Sequence, residues 1–265
     1  MLLWSRSGRA VAVAVFAVLL VVVVIAPFAM LALAAVAGSW TGALPSGLTG
    51  AHLAEALDAD GLASLLVSVQ TALLAGVVSL LIGTWAALAA QDSPGPVRRL
   101  ILGLCHLPIA VPSVVIGLGL LIAFNRAPVL LGGTRWIVIA AHAVLVLAFT
   151  VSTVTAGLDR LDPDYELAAR SLGAGPARVL LRVRLPLLLP SLAAAAGLAV
   201  ALSMGELGAT IMIYPPSWRT LPVTIFTASD RGDSFLASAS TVVLLAVTAL
   251  MLFALSRVRS RAAVG

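Results

Sequence analysis

Six stretches of the chain stay apolar for about 20 residues or more, and no other feature restricts its folding as severely. They run from about Val11 to Ala37, Leu62 to Ala90, Leu100 to Phe124, Trp136 to Gly157, Leu187 to Ile213 and Leu236 to Ser256. An α-helix needs about 20 such residues to cross a hydrocarbon core about 30 Å thick. A helix also satisfies its backbone hydrogen bonds within itself, which lipid demands. Of the 265 residues 61% are hydrophobic and 10% charged, far from the roughly 25% charge of a soluble domain. A water-soluble globule is therefore excluded. The sequence predicts an all-α integral membrane protein: six transmembrane helices over residues 11–256, with short ends at 1–10 and 257–265.

The first stretch admits a second reading. Arg6 and Arg9 precede it, and Ala35-Val36-Ala37 has the small-x-small form of a signal-peptidase site. Its apolar run is about twice the usual 7 to 15 residues of a signal core, so an uncleaved span with Pro27 as a kink fits better.

Charge then sets orientation. All sixteen basic residues are arginine, and with eleven acidic residues the net charge is +5. With six spans and both termini on one side, twelve arginines share that side: Arg6, Arg9, Arg98, Arg99, Arg160, Arg170, Arg178, Arg182, Arg184, Arg257, Arg259 and Arg261. Only Arg126, Arg135, Arg219 and Arg231 lie opposite. Basic loops stay in the cytoplasm, so both termini are expected there. On a soluble chain this charge would suggest nucleic acid; here it records topology. The absence of lysine removes Walker A and Schiff-base chemistry, so any ATP hydrolysis must come from another chain. The single cysteine, Cys105, can form no internal disulfide and no multi-thiolate metal site.

The longest polar interruption on the arginine-rich side, 158–186, reads as two short helices. Asp162 is a good N-cap with Pro163 first in the helix. Asp164 and Glu166 fill the first turn, Arg170 lies near the end, and Gly173 is the stop. Pro176 opens a second helix carrying Arg178, Arg182 and Arg184 towards its C-terminal end, and Pro186 marks a turn into the fifth span. Ala168 and Ala169 beside Leu172 form a small, smooth face suited to a partner's groove.

This stretch carries a resemblance. Glu166-Leu-Ala-Ala-Arg-Ser-Leu-Gly173, followed after nine residues by Val183-Arg-Leu185-Pro186, resembles the EAA loop of ABC importer permeases (E-A-A, three residues, G, nine residues, I-x-L-P). Leu167 occupies the slot of the motif's glutamate, with Glu166 one position earlier, and Val183 replaces the isoleucine. The resemblance implies a cytoplasmic coupling helix between the fourth and fifth spans that docks on an ATPase, through Glu166, Ala168, Ala169, Gly173, Leu185 and Pro186. Met204-Gly-Glu-Leu-Gly-Ala-Thr210, then Arg219-Thr-Leu-Pro222 and Ile225-Phe-Thr, is similar to permeases for sulfate, molybdate and related anions. Tyr214-Pro-Pro-Ser-Trp218 and Asp230-Arg-Gly232 are most similar to 2-aminoethylphosphonate permeases. The family implies a bacterial inner-membrane location, an ATPase dimer, a second permease subunit, copy or not, and an extracytoplasmic solute-binding protein. It implies no cofactor and no nucleic acid.

Individual polar residues carry less. Glu206 is the only carboxylate inside an apolar run, where ionisable groups are costly and tend to be functional or paired. Either it serves a pathway or gate with Ser203, Gly205, Gly208 and Thr210, or it caps backbone freed by the two glycines, or it pairs with an arginine of a neighbouring permease. His106 and His142 lack metal-ligand spacing; His106 belongs at the cytoplasmic interface, and His142 reads as a hydrogen-bonded bundle residue. Ser68, Gln70 and Thr71 are expected to bond between helices. Trp40, Trp136 and Trp218 sit where interfacial anchors are common. The leading reading is a non-catalytic importer permease. An ion-gradient-driven secondary transporter is the alternative, and it would be expected to show more intramembrane charges and internal repeats. An intramembrane enzyme would need an opposed nucleophile and base, for which no motif exists.

Overall fold

The computed structural model describes residues 6–42 and 45–262, with side chains over 8–42 and 45–257. Arg6, Arg259 and Arg261 of the charge partition thus have side chains outside the described set. In chain order the elements are α1 (Gly8–Ala35), β1 (Ala37–Ser39), β2 (Ser46–Leu48), α2 (Ala51–Ala56), α3 (Ala59–Gln91), α4 (Gly95–His106), α5 (Ser113–Ala123), β3 (Asn125–Arg126) and β4 (Val129–Leu130). There follow α6 (Arg135–Leu158), α7 (Asp164–Ser171), α8 (Pro176–Met204), α9 (Thr210–Ile213), α10 (Leu221–Asp230) and α11 (Ser234–Ala262). The chain belongs to an all-helical membrane class. Five helices, α1, α3, α6, α8 and α11, are long and apolar enough to cross a membrane, and α4 with α5 makes a sixth if the bent pair counts as one span.

The third expected span is therefore not straight. It bends by 105° between its two arms, and the cause lies in two prolines. A 3-10 turn over Leu107–Ala110 contains Pro108, and Val111, just before Pro112, is extended at φ −110°, ψ 130°. A residue preceding proline is pushed out of the helical region by the ring.

The fifth span also departs from expectation at both ends. A helix opens at Pro176 as expected, but no turn interrupts it at Pro186: it continues into the span and ends at Met204 rather than at Ile213. A π-helical turn, Leu180–Arg184, precedes Pro186 and absorbs the backbone bond that proline cannot donate. The same device, a π turn at Val21–Ile25, lets α1 pass Pro27. At the other end Gly205 caps α8, and the chain stays non-helical until α9.

Two compact units emerge, Met1–Leu62 with Thr224–Leu245, and Ala63–Val223 with Ala246–Gly265. In the first, β1 pairs antiparallel with β2, and His52 stacks on Phe235 with ring centroids 5.2 Å apart. The second is organised around α6, the most enclosed span. Its core joins Ala87 and Leu88 of α3, Val154 and Leu158 of α6, and Leu188 and Ala195 of α8. Small residues bring these helices close, as lipid-embedded bundles require. A Cβ on Gly83 would come within 2.8 Å of the Thr150 methyl, and one on Gly157 would collide with Ser191. Ser79 and Thr150 share a buried 2.8 Å hydrogen bond across the same α3–α6 contact.

Candidate functional site

Residues marked by the sequence gather at two places in the second unit, at opposite ends of α8. The 18 steps along the helix from Leu185 to Ser203 span about 27 Å.

The first place is the 158–186 segment. Asp162 accepts a hydrogen bond from the Asp164 amide at 3.0 Å, which fills the capping role expected of it. At the far end Gly173 lies at φ +81°, a left-handed conformation that costs a Cβ-bearing residue about 1 kcal/mol or more. The Ala174 amide reaches the Ala169 carbonyl at 3.0 Å and the Gly173 amide reaches Arg170 at 2.9 Å. This pair of bonds is a Schellman closure, so α7 ends where the glycine predicts. Tyr165, Ala168 and Leu172 fall on one face by the i, i+3, i+7 rule and are all exposed, Leu172 to 87%. Glu166 and Ala169 lie on the more buried face.

That buried face is ionic. The Arg184 guanidinium donates to Glu166 Oε1 through Nε and to Oε2 through Nη2 at 3.0 Å. Its outer nitrogens reach Asp92 Oδ2 at 3.0 Å and Oδ1 at 3.1 Å. Arg170 lies 3.7 Å from Glu166 one turn along α7. A second link, Arg98 Nη2 to Asp159 Oδ1 at 3.2 Å, joins the start of α4 to the end of α6. Leu185 and Pro186 follow Arg184 on α8. Asp92, in the turn after α3, carries no motif and was not marked by the sequence; its only signal is a carboxylate placed directly after an apolar run.

The second place is the break between α8 and α9. His142 of α6 is buried, and both ring nitrogens are used: Nδ1 lies 2.7 Å from Ser203 Oγ and Nε2 2.7 Å from Thr210 Oγ1. One imidazole thus bridges the last turn before the break and the first turn after it. Glu206 Oε1 accepts the Ala209 amide, the backbone-capping option raised from its glycine neighbours. Gly205 ends α8, and Gly208 packs against Ser113 at the start of α5. Ser203, Gly205, Glu206, Gly208 and Thr210 are therefore brought together as one turn. Beside it lies a cleft of about 230 Å³, lined by Ser113, His142, Phe149, Leu202, Ser203 and Glu206 among others.

Other marked residues have structural partners. His106 bonds to the Leu102 carbonyl and to Ser152 Oγ at 2.6 and 2.7 Å. The Thr71 hydroxyl accepts the Trp218 indole N–H at 3.0 Å, and Ser68 Oγ accepts the Leu221 amide at 2.7 Å. The Arg135 guanidinium sits over the Trp136 and Trp218 rings at 4.9 and 5.6 Å. Among the described residues no cluster of three or more His, Cys, Asp or Glu side chains could hold a metal ion.

Comparisons with known proteins agree on one family. Residues 79–262 match the model of the binding-protein-dependent transport system inner membrane component. The chain is 45% identical, over 98% of both lengths, to PhnV of Salmonella paratyphi A, named as a candidate 2-aminoethylphosphonate transport system permease protein. It is 35% identical to the molybdenum transport system permease protein ModB of Mycobacterium bovis, over 62% of this chain and 67% of that one. Among solved structures, a bacterial ABC transporter that imports the acidic polysaccharide alginate superposes with a TM-score of 0.76 at 14% identity, covering 96% of this chain and 95% of that one. The MetNI methionine ABC transporter, in an inward-facing form, gives a TM-score of 0.63 at 18% identity over 75% and 94%. The two structural likenesses establish a shared fold.

Proposed function

The chain belongs to the family of binding-protein-dependent transport system inner membrane components, and from that premise we propose that it carries a small anionic solute, 2-aminoethylphosphonate first and an oxyanion such as molybdate or sulfate second. It is a non-catalytic permease subunit of an ABC importer, embedded in the inner membrane, and ATP is hydrolysed on a separate chain. The observation that carries the substrate choice is the near-full-length likeness to the candidate 2-aminoethylphosphonate permease.

In this reading the subunit pairs with a second permease, copy or not, and receives solute from an extracytoplasmic binding protein. The 158–186 segment faces the cytoplasm with both termini, as its arginines suggest, and α7 is the helix on which the ATPase dimer acts. The exposed Tyr165, Ala168 and Leu172 face is the docking surface. Glu166, Ala169 and Gly173 fix the helix, and Leu185 and Pro186 begin the rigid continuation into the membrane. Closure of the ATPase displaces α7; because α8 runs unbroken from Pro176 to Met204, the displacement reaches the 203–210 turn as a rigid-body movement. That turn serves as gate or pathway. ATP binding biases the two access states only to the extent that it favours one position of α7.

The test is reconstitution of the permease pair, ATPase and binding protein in liposomes, with ATP inside and labelled 2-aminoethylphosphonate outside. ATP-dependent uptake that survives excess molybdate and sulfate is expected. Uptake of molybdate instead would move the substrate to the oxyanion branch. Uptake driven by an ion gradient without the ATPase would overturn the importer reading.

A further inference from the structure

Arg184 joins three separate parts of the polypeptide at this end of the second unit. It belongs to α8, binds Glu166 of α7 and binds Asp92 in the turn after α3. The contacts are fork-to-fork on both sides, the geometry in which guanidinium and carboxylate hold each other in orientation as well as by charge. They are also sheltered unequally: the Arg184 side chain is 16% exposed, Glu166 23% and Asp92 60%. Close packing does not hold α7 here. Clefts of about 430 and 320 Å³ flank the clamp, the first bounded by Trp85, Leu88 and Leu180, the second by Leu158, Pro163 and Leu167. An eight-residue helix is too short to be stable alone, and its direction is set by what its ends are tied to.

From this geometry we infer that Arg184 and Asp92 are positioning residues for energy coupling: the Asp92–Arg184–Glu166 clamp ties α7 to the end of α3 as well as to α8, so that a push on α7 moves two spans as one body. The inference rests on the coupling role given to α7 above. It assigns Glu166 an internal task, holding the helix from beneath, and leaves contact with the ATPase to the exposed face of Tyr165, Ala168 and Leu172.

The experiment uses the reconstituted complex. Asp92 is the residue to change, because it is mostly exposed and Asp92→Asn preserves its shape. Two readouts are taken together. One is transport per ATP hydrolysed. The other is the distance distribution between spin labels at Ser93→Cys and Ser171→Cys in a Cys105→Ser background, which one substitution makes cysteine-free because Cys105 is the only cysteine. Asp92→Asn is expected to broaden the distribution and to lower transport per ATP about fivefold, the scale of losing one charge-assisted contact in a partly exposed pair. Asp92→Glu, which keeps the carboxylate, is expected to restore both. Unchanged coupling despite a broadened distribution would overturn the coupling role; an unchanged distribution would overturn the positioning. A wild-type ATPase that ignores the loaded binding protein would instead sink the coupling reading of α7, while the label distances would still decide whether the clamp positions it.

Discussion

Gly208 lies so close to Ser113 that a Cβ on the glycine would collide with the serine hydroxyl and stand 3.2 Å from the Val114 methyl. The contact joins the break of the fifth span to the bend of the third. Nearby, a Cβ on Gly117 would come within 2.7 Å of the Ala209 carbonyl, so α5 and the 205–209 turn meet backbone to backbone. Two irregular segments inside apolar runs thus cover each other, the condition under which lipid tolerates non-helical backbone.

Gly208→Ala is expected to lower thermal stability in detergent by about 1 to 3 kcal/mol, the usual cost of overpacking, and to slow transport. Adding Ser113→Gly should recover part of both, since it removes the atoms the new methyl strikes. A melting temperature and uptake rate for Gly208→Ala equal to wild type would show that the turn and α5 separate freely.

Removing His142 should be costly for a different reason. His142→Ala leaves the Ser203 and Thr210 hydroxyls without their common partner, and an unmet buried polar group costs about 1 to 3 kcal/mol. In bundles the measured cost of such bonds is often nearer 0.6 kcal/mol, so a loss of about 1 to 2 kcal/mol in all is expected. His142→Gln, with a donor and an acceptor, should lose less. Thermal melting of the purified variants orders the three proteins, and equal melting of alanine and wild type would remove the bridge from the account.

Glu206→Gln separates the two roles open to this carboxylate. The amide oxygen of glutamine accepts the Ala209 N–H as the carboxylate does, so the variant should assemble and melt as wild type does, while transport changes because the charge beside the cleft is gone. Wild-type kinetics in Glu206→Gln, together with a destabilised Glu206→Ala, would make Glu206 a cap and nothing more.

The membrane class was legible in the sequence because run length and charge are local quantities: α3, α6 and α11 lie where apolar runs predict them, and Gly173 closes α7 as its neighbours imply. The breaks were less legible. Pro108 and Pro112 are visible as letters, but whether prolines kink, bend by 105° or are absorbed by a π turn, as at Pro186, depends on what packs beside the freed backbone. The short helix α10 went unread because its flanks, Tyr214-Pro-Pro-Ser-Trp218 and Arg231-Gly-Asp233, look like loop. The clamp could not be read at all, since Asp92 and Arg184 are 92 positions apart and no local pattern links them. His142 was recognisable as a bonded bundle residue, yet its partners on both sides of the 203–210 turn follow only from the crossing of α6 with α8.

The two faces of α7 give the last expectation. Gly173→Pro asks for φ near −65° where the backbone holds +81°, and it removes the amide that bonds Arg170; it should abolish transport-coupled ATPase activity with the protein still in the membrane. Gly173→Asn, which tolerates the left-handed region, should retain most activity. Leu172→Glu acts on the other face. At 87% exposure Leu172 contributes little to the fold, so the variant should melt as wild type does yet fail to retain the ATPase on affinity purification. If Leu172→Glu retains the ATPase and couples normally, the exposed face of α7 is not where the ATPase docks, and the buried ionic face becomes the place to look.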